Sequence, residues 1–309
     1  MRVLVLGSAA GGGLPQWNCN CRVCQAARAG DGGALARTQS SIAVSADGER
    51  WALLNASPDL RQQINDNPPL HPKLGARHSP IAAVVLTNAD VDHVTGLLSL
   101  RESQPLVLYA SRRVQGALDA NPIFGVLNPR FVRREALPLG QTLALEGPDG
   151  ADLDIAVEAF AVPGKIALYL EDPNAAENFG TEEGDTLGLC VTEPATGKRF
   201  FYIPGCAALD AALIERLAGA PLVLFDGTLF ENQEMVAGGL GHKTGQRMGH
   251  LHISGKDGSL AAFAELGVAR HIYIHINNSN PVLLEDSPER AAVETAGWEV
   301  AYDGQEIVL

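Results

Sequence analysis

IAAVVLTNADVDH, residues 81–93, runs from an unbroken apolar stretch into a polar segment that carries a histidine. The stretch Ile81 to Leu86 is short, partly β-branched and closed by polar residues, which predicts a strand buried on both faces. A segment leaving such a strand for a helix sits at the carboxyl end of a sheet, where open α/β layers keep their ligand crevices. Within it Asn88, Asp90 and Asp92 alternate, so an extended backbone puts them on one side, and His93 follows at once. Two carboxylates this close repel each other unless a cation offsets them, and a metal ion does so with His93 as a neutral nitrogen ligand. A plain helix start, with Asp92 as N-cap and Asp90 solvated, would use the same letters.

Outward from this stretch, apolar runs predict further strands near 2–6, 41–46, 51–54, 105–109, 155–162, 166–170, 187–193, 199–203, 222–226 and 271–276. Helical patterns lie near 58–65, 94–103, 111–119, 208–218, 259–267 and 287–296, the last opened by Ser287 as N-cap and Pro288 at the first helical position. Hairpin-like pairs give way to strand–helix alternations, which fits two mixed sheets packed face to face with helices outside, an α/β fold. No solenoid-type repeat and no Pro/Gly/Ser-rich linker divides the chain, so residues 1–309 are expected to form a single domain. Residues 171–185, polar and glycine-bearing, are expected to form a long mobile loop.

With 46% hydrophobic and 19% charged residues the chain has enough apolar material for a sizeable core. Its net charge of −13 argues against a nucleic-acid binder, since the only basic cluster, NPRFVRR at 128–134, is interrupted by Phe131 and Val132. No apolar stretch reaches the ~18–20 residues of a membrane span. The N-terminus reads as a first strand entering a glycine loop, not as a signal peptide, so a cytoplasmic location is expected.

Three of the five cysteines, Cys19, Cys21 and Cys24, fall in C-N-C-R-V-C. In a reducing compartment that spacing points to structural zinc, whose fourth ligand must come from elsewhere in the chain. His250, His252, His271 and His275 cluster late, and Asp226 and His275 end strands as Asn88 does. Of His250 and His252, turn geometry lets only one face a site. His71, His78 and His242 read as surface residues. GSAAGGG at 7–13 invites a dinucleotide reading, but a Pro-Gln-Trp-Asn-Cys segment at 15–19 replaces the helix that motif requires. Trp17, Trp51, Tyr169 and Tyr202 are candidates to stack on a ring, although aromatics more often fill cores.

Taken together these segments resemble the metallo-β-lactamase superfamily, which implies an αβ/βα sandwich. Its His-x-His-x-Asp-His signature falls on Asn88-Ala89-Asp90-Val91-Asp92-His93. LGSAAGGG at 6–13, CNCRVC at 19–24 and the AAR after them resemble the phosphodiesterase branch, which carries an accessory Cys-rich zinc site; here that loop spans about 17–28. TNADVDHVTGLLSLRE (87–102), IPGC (203–206), FDGTLF (225–230), MGHLHISG (248–255) and IHINNSNP (274–281) are similar to one family of that superfamily, whose members act in pyrroloquinoline quinone (PQQ) biosynthesis. This likeness spans nearly the whole chain.

The departures decide what the resemblance implies. Asn88 and Asp90 stand where the signature has its first two histidines, Val162 to Lys165 offers no third, and Cys206 stands where a bridging aspartate is expected. A two-zinc hydrolytic site is therefore dismantled. The candidate catalytic residues are Asn88, Asp90, Asp92, His93, Asp226 and His252. An active-site metal is expected on Asp90, Asp92 and His93, with Asp226, His252 or His275. His275 is also the candidate fourth ligand of the Cys19–Cys21–Cys24 zinc, because Asn278 replaces the histidine that completes that site in the phosphodiesterase branch. Mixed oxygen and imidazole donors suit Fe(II), with Mn(II) or Zn(II) as alternatives. The resemblance implies hydroxylation of the tyrosine-derived ring of a peptide-derived PQQ precursor; a non-catalytic carrier of PQQ or its precursor and a residual hydrolase are the alternatives. Partners would be that precursor and other PQQ biosynthesis proteins, without nucleic acid or membrane, and a homodimer is one assembly open to the chain.

Overall fold

The computed structural model describes residues 1–30, 32–172, 174 and 180–309. Its strands are β1 (Arg2–Gly7), β2 (Ser41–Ser45), β3 (Trp51–Leu54), β4 (Ile81–Val85), β5 (Leu106–Ala110), β6 (Val132–Ala136), β7 (Thr142–Glu146), β8 (Asp152–Ala161), β9 (Leu187–Glu193), β10 (Lys198–Ile203), β11 (Val223–Asp226), β12 (His271–Ile274), β13 (Trp298–Val300) and β14 (Glu306–Val308). They form two seven-stranded sheets, ordered β14-β1-β2-β3-β4-β5-β6 and β13-β12-β11-β10-β9-β8-β7. Each sheet is antiparallel on one side and parallel on the other. Pairing changes sense between β3 and β4 in the first and between β10 and β11 in the second. The final strand, β14, leaves the second half of the chain and pairs with β1, closing the first sheet.

The alternation of side chains sorts the core into layers. Val3, Val5, Ile42, Val44, Leu54, Val85 and Val107 face Val157, Leu189, Val191, Phe200 and Leu224 between the sheets. Their neighbours in sequence, Leu4, Leu6, Ala43, Leu53, Val84 and Leu108, bury the opposite face of the first sheet beneath Leu60, Leu97, Val114 and Leu118. The outer face of the second sheet, with Phe201, Val223, Phe225 and Tyr273, is covered by Leu213, Leu217, Phe263 and Val293. Both faces of β4 are thus buried, as its unbroken apolar run requires.

Some expected elements differ. Residues 166–170, expected as a strand, make a 3-10 turn at Leu168–Leu170 after Pro163 and Gly164; Leu168 and Tyr169 lie largely exposed, with no strand neighbour. The helix expected over 94–103 starts at Val91–Val94 and continues as a 3-10 segment, Thr95–Leu100. Asp90 is its N-cap residue and Asp92 lies in its first turn, so Asp92 does not cap it. β6, β7, β13 and β14 were not expected; the first two are edge-side strands with exposed or half-exposed residues, whose pattern reads as charged loop. The loop expected at 171–185 falls in part on residues 173 and 175–179, outside the described residues. Its far end is held, because Arg113 grips the buried Asp185 through two hydrogen bonds.

The carboxyl ends of β4, β10, β11 and β12 open on the same edge of the sandwich. Segments 86–93, 204–206, 226–228 and 275–278 follow them and build the site.

Candidate metal centre

A cavity of about 360 Å³ at this edge is lined by Asn88, Asp90, Asp92, His93, Lys165, Thr228, Lys243, His250 and His275 among others. Asp92 lies in the first helical turn after β4 and His93 follows it into the core. His275 comes from the end of β12 and takes a left-handed backbone, φ 59°, a conformation that is rare outside glycine and that turns its ring back toward Asp92. Asp92 Oδ2 is 3.1 Å from His275 Nε2 and 3.8 Å from His93 Nε2. These three residues can each bring one donor atom to within 4.8 Å of the other two.

The imidazoles are oriented from behind. Asn88 Oδ1 accepts from His93 Nδ1 at 2.7 Å, and Asn88 Nδ2 donates to Asp90 Oδ2 at 2.9 Å. The hydroxyl of Thr228 lies 2.9 Å from His275 Nδ1. Asp226 Oδ2 accepts from His250 Nδ1 at 2.7 Å and from the Cys206 N–H at 2.9 Å, while Oδ1 takes the Thr228 N–H and hydroxyl. With Nδ1 of His93 committed to Asn88 and Nδ1 of His275 to Thr228, Nε2 of both rings is turned toward Asp92 and the cavity, the arrangement by which outer partners fix metal-binding histidines. His93 Nε2 is buried and has no hydrogen-bond partner among the described residues. An orphaned imidazole nitrogen beside a carboxylate and a second imidazole fits a divalent metal ion.

Charge follows the same logic. Burial pushes the His93 pKa down to about 4, so its ring is neutral at physiological pH and available as a ligand. Burial, with the neighbouring Asp92 adding to it, raises Asp90 to about 6. Asp92 is also buried, yet His93 and His275 hold its carboxylate well below the usual range. The His275 pKa is raised in spite of burial, because Asp92 accepts its proton-bearing nitrogen.

The structure therefore brings Asn88, Asp90, Asp92, His93 and His275 together. Asp226 lies beneath them, bonded to His250 and Thr228, and with His250 and His275 it forms a second group of donor atoms within 4.8 Å of one another that shares His275 with the first. His252, expected as a site residue, does not enter the cavity: its Nε2 lies 3.5 Å from Asp257 Oδ1 at the surface. The two histidines of GHLHIS face opposite ways, and His250 is the one turned inward, stacked on His275 with ring centroids 5.2 Å apart. Thr228 in FDGTLF was missed, and so were Lys165 and Lys243, whose letters carry no metal-site signature. Cys206 contributes its backbone N–H, while its thiol turns away to the Ala208 carbonyl at 3.1 Å. Of the aromatic candidates, Trp51 and Tyr202 are core, Trp17 is 86% exposed, and only Tyr169 is near the cavity, its hydroxyl bonded to the Ala89 carbonyl.

The second cluster is separate. Cys19, Cys21 and Cys24 converge at the start of the helix Arg22–Ala29, with donor atoms within 4.8 Å of one another. Asn278, and not His275, lies beside these thiols; the His275 ring is turned to Asp92. Asn278 Nδ2 lies 3.2 Å from Cys24 Sγ, and its carbonyl lies 3.5 Å from Cys21 Sγ. Three thiols at this spacing fit zinc. Among the described residues no histidine or carboxylate joins them.

Comparison with known proteins agrees with this architecture. Residues 50–276 match the family described as the beta-lactamase superfamily domain. Coenzyme PQQ synthesis protein B of Bradyrhizobium diazoefficiens is 54% identical over 310 residues, covering 100% of both chains. The protein of that name from Methylorubrum populi is 54% identical over 304 residues, 98% of each. The 1.98-ångström crystal structure of Zn(2+)-bound PqqB from Methylobacterium extorquens superposes with a TM-score of 0.94 at 51% identity, covering 100% of both chains. A diphosphatase from the PhnP family, 18% identical, shares the fold with a TM-score of 0.69 over 100% of this chain and 97% of its own. No helix among the described residues is long and apolar enough to cross a membrane.

Proposed function

The chain belongs to the coenzyme PQQ synthesis protein B family within the β-lactamase superfamily, and from that premise we propose that it acts in PQQ biosynthesis as a metal-dependent oxygenase. The substrate on this reading is the tyrosine-derived ring of a peptide-derived precursor, and the reaction is its hydroxylation. The observation that carries it is the convergence of Asp92, His93 and His275, two imidazoles and one carboxylate, with His93 Nε2 left without a partner. That donor set is the one non-haem iron oxygenases use. These residues would hold Fe(II), and the same atoms accept Mn(II) or Zn(II). A redox-active ion in this position supplies the electron transfer that dioxygen chemistry requires. In the net reaction one oxygen atom goes to the ring carbon, and a two-electron reductant takes the other to water.

The chain's own residues hold the geometry. Asn88 and Thr228 fix the two imidazoles, and Asp226 fixes Thr228 and His250 through charge-assisted bonds. Leu168 and Met248 give the cavity an apolar side on which a ring can displace water. A hydrolase is less well supported: Asn88 and Asp90 replace two histidines, and the Cys206 thiol is turned out of the site.

The test is anaerobic reconstitution with Fe(II) followed by oxygen uptake with a tyrosine-containing precursor, comparing wild type with His93→Ala. Uptake coupled to a hydroxylated product, and lost in the variant, is the expected outcome. Tight binding of the precursor with no uptake by either protein would replace this reading with that of a carrier.

A further inference from the structure

The chain as a whole is strongly acidic, at −13, yet one wall of the metal cavity is cationic. Lys165, Lys243 and Arg247 gather there around the carboxylate of Glu171. Arg247 meets Glu171 through two hydrogen bonds, of 3.1 and 2.8 Å, and Lys165 Nζ lies 2.8 Å from Glu171 Oε1. The cluster is built, not draped over the surface: the side chains of Lys165 and Glu171 are 18% and 11% exposed. The Lys165 stem also passes over Gly249, where a Cβ would come within 2.9 Å of Lys165 Cγ and where φ is +88°. Glycine is needed there on both counts.

Lys243 is the member left over. It lines the cavity, it is partly buried, and among the described residues its ammonium makes neither a hydrogen bond nor an ion pair. Burial holds its pKa below the usual lysine value, and the charges that act on it are those of Glu171, Arg247 and Lys165. Among the acids of the metal centre, Asp92 is engaged by His275 and Asp226 by His250, while the charge that acts on Asp90 from this wall is that of Lys165. Of the three cations Lys243 is thus the one that faces the cavity without a hydrogen bond or ion pair among the described residues. A partly desolvated, unpaired ammonium beside a ring-sized cavity is an anion site in wait of its anion.

We propose that Lys243, backed by the Lys165–Glu171–Arg247 cluster, seats a carboxylate of the ring-bearing substrate at the cavity wall. This rests on the reading of the cavity as the substrate site and adds what the substrate must carry: an anionic group on the arm attached to its ring. Lys243 is a binding and orienting residue here; it fixes which end of the substrate lies against the rim and so which part of the ring faces Asp92, His93 and His275.

The experiment is a calorimetric titration of the zinc-loaded full chain with N-acetyltyrosine and with N-acetyltyrosinamide, which differ only in carboxylate against amide. The acid should bind roughly tenfold or more tightly than the amide, a preference that loss of one charge-assisted contact is large enough to account for. Lys243→Met should abolish the preference, and Lys243→Arg should keep most of it. Equal binding of acid and amide by wild type would overturn the proposal. So would a preference that survives unchanged in Lys243→Met, because that would assign the carboxylate to the metal. Oxygen uptake is measured separately. Uptake without an acid preference removes the subsite and leaves the oxygenase, whereas an acid preference without uptake does the reverse.

Discussion

At Thr228 a single hydroxyl serves the whole site. It donates to Asp226 Oδ1 at 2.6 Å, lies 2.9 Å from both Nδ1 and the carbonyl of His275, and lies 3.1 Å from His250 Nδ1. Replacing it with the isosteric apolar side chain, Thr228→Val, leaves His275 Nδ1 without its acceptor while scarcely changing volume. Metal affinity should fall about 10–100-fold, the usual cost of losing such an outer partner, and Thr228→Ser should restore most of it. Competition with a chromogenic chelator reads this directly, and an unchanged affinity in Thr228→Val would show that the hydroxyl does not orient His275. The sequence makes half of this site legible. Asp92 and His93 announce themselves because carboxylates and histidine beside a buried strand are expensive without a cation. Thr228 and His250 do not, because a threonine after a strand is ordinary, and of two histidines two residues apart only the folded path of 248–253 says which one turns inward.

The helical turns that carry the site depend on close backbone approach. Gly96 donates its N–H to the Ala56 carbonyl at 2.9 Å, and a Cβ there would stand 2.2 Å from the Ser57 carbonyl. Gly96→Ala must push Thr95–Leu100 away from the segment after β3, so it should cost on the order of 1–3 kcal/mol in urea unfolding. Part of the loss should appear as weaker metal binding, since the same turn carries Asp92 and His93. A second element has a pH signature. Glu234 opens the helix Glu234–Ala237, and burial raises its pKa from 4.5 to about 7 in spite of bonds from Ser279 and the Phe230 N–H. Its folded pKa lies above its unfolded one, so the stability it contributes is present below about pH 4.5 and is lost as pH rises through 7. Glu234→Gln should remove this slope and stabilise the chain at pH 8 by about 1–3 kcal/mol relative to wild type, with little gain at pH 4. Urea midpoints at the two pH values decide it; an equal effect at both would mean that Glu234 does not titrate in this range. The strands that periodicity makes visible, β1 to β5 and β8 to β12, all have a buried face, whereas β13, buried as well, is only three residues long. β6, β7 and β14 carry too much exposed polar surface for their alternation to stand out, and residues 166–170 show the converse, an apolar run that finds no neighbouring strand.

Across the molecule, the cysteine cluster and the centre built around His275 are joined by one short segment. His275 turns toward Asp92, Ile276 exchanges backbone hydrogen bonds with Ser8 and Ala10, Asn278 reaches Cys21 and Cys24, and Asn280 is bonded to the Gly227 carbonyl. The N-terminal segment that carries the cysteines is tied in turn to the end of the chain, where Asp303 accepts from the backbone and hydroxyl of both Ser8 and Thr38. The left-handed backbone at His275 is costly by itself, roughly 1 kcal/mol or more, and persists only because residues on either side of it are held. Zinc on Cys19, Cys21 and Cys24 would hold the downstream side. Loss of that ion should therefore lower stability and also weaken metal binding at Asp92, His93 and His275. Cys24→Ser is the variant to make, because Cys24 is fully buried and bonded to Asn278, and serine keeps the size without the thiolate. We expect one zinc fewer per chain by metal analysis and a melting temperature lower by on the order of 5 °C or more. Affinity at the remaining site should fall by roughly tenfold, as expected for a lost supporting shell. A variant that loses its zinc while binding metal at the other site as tightly as wild type would show that residues 275–280 do not couple the two, and that the backbone of His275 is fixed by β12 alone.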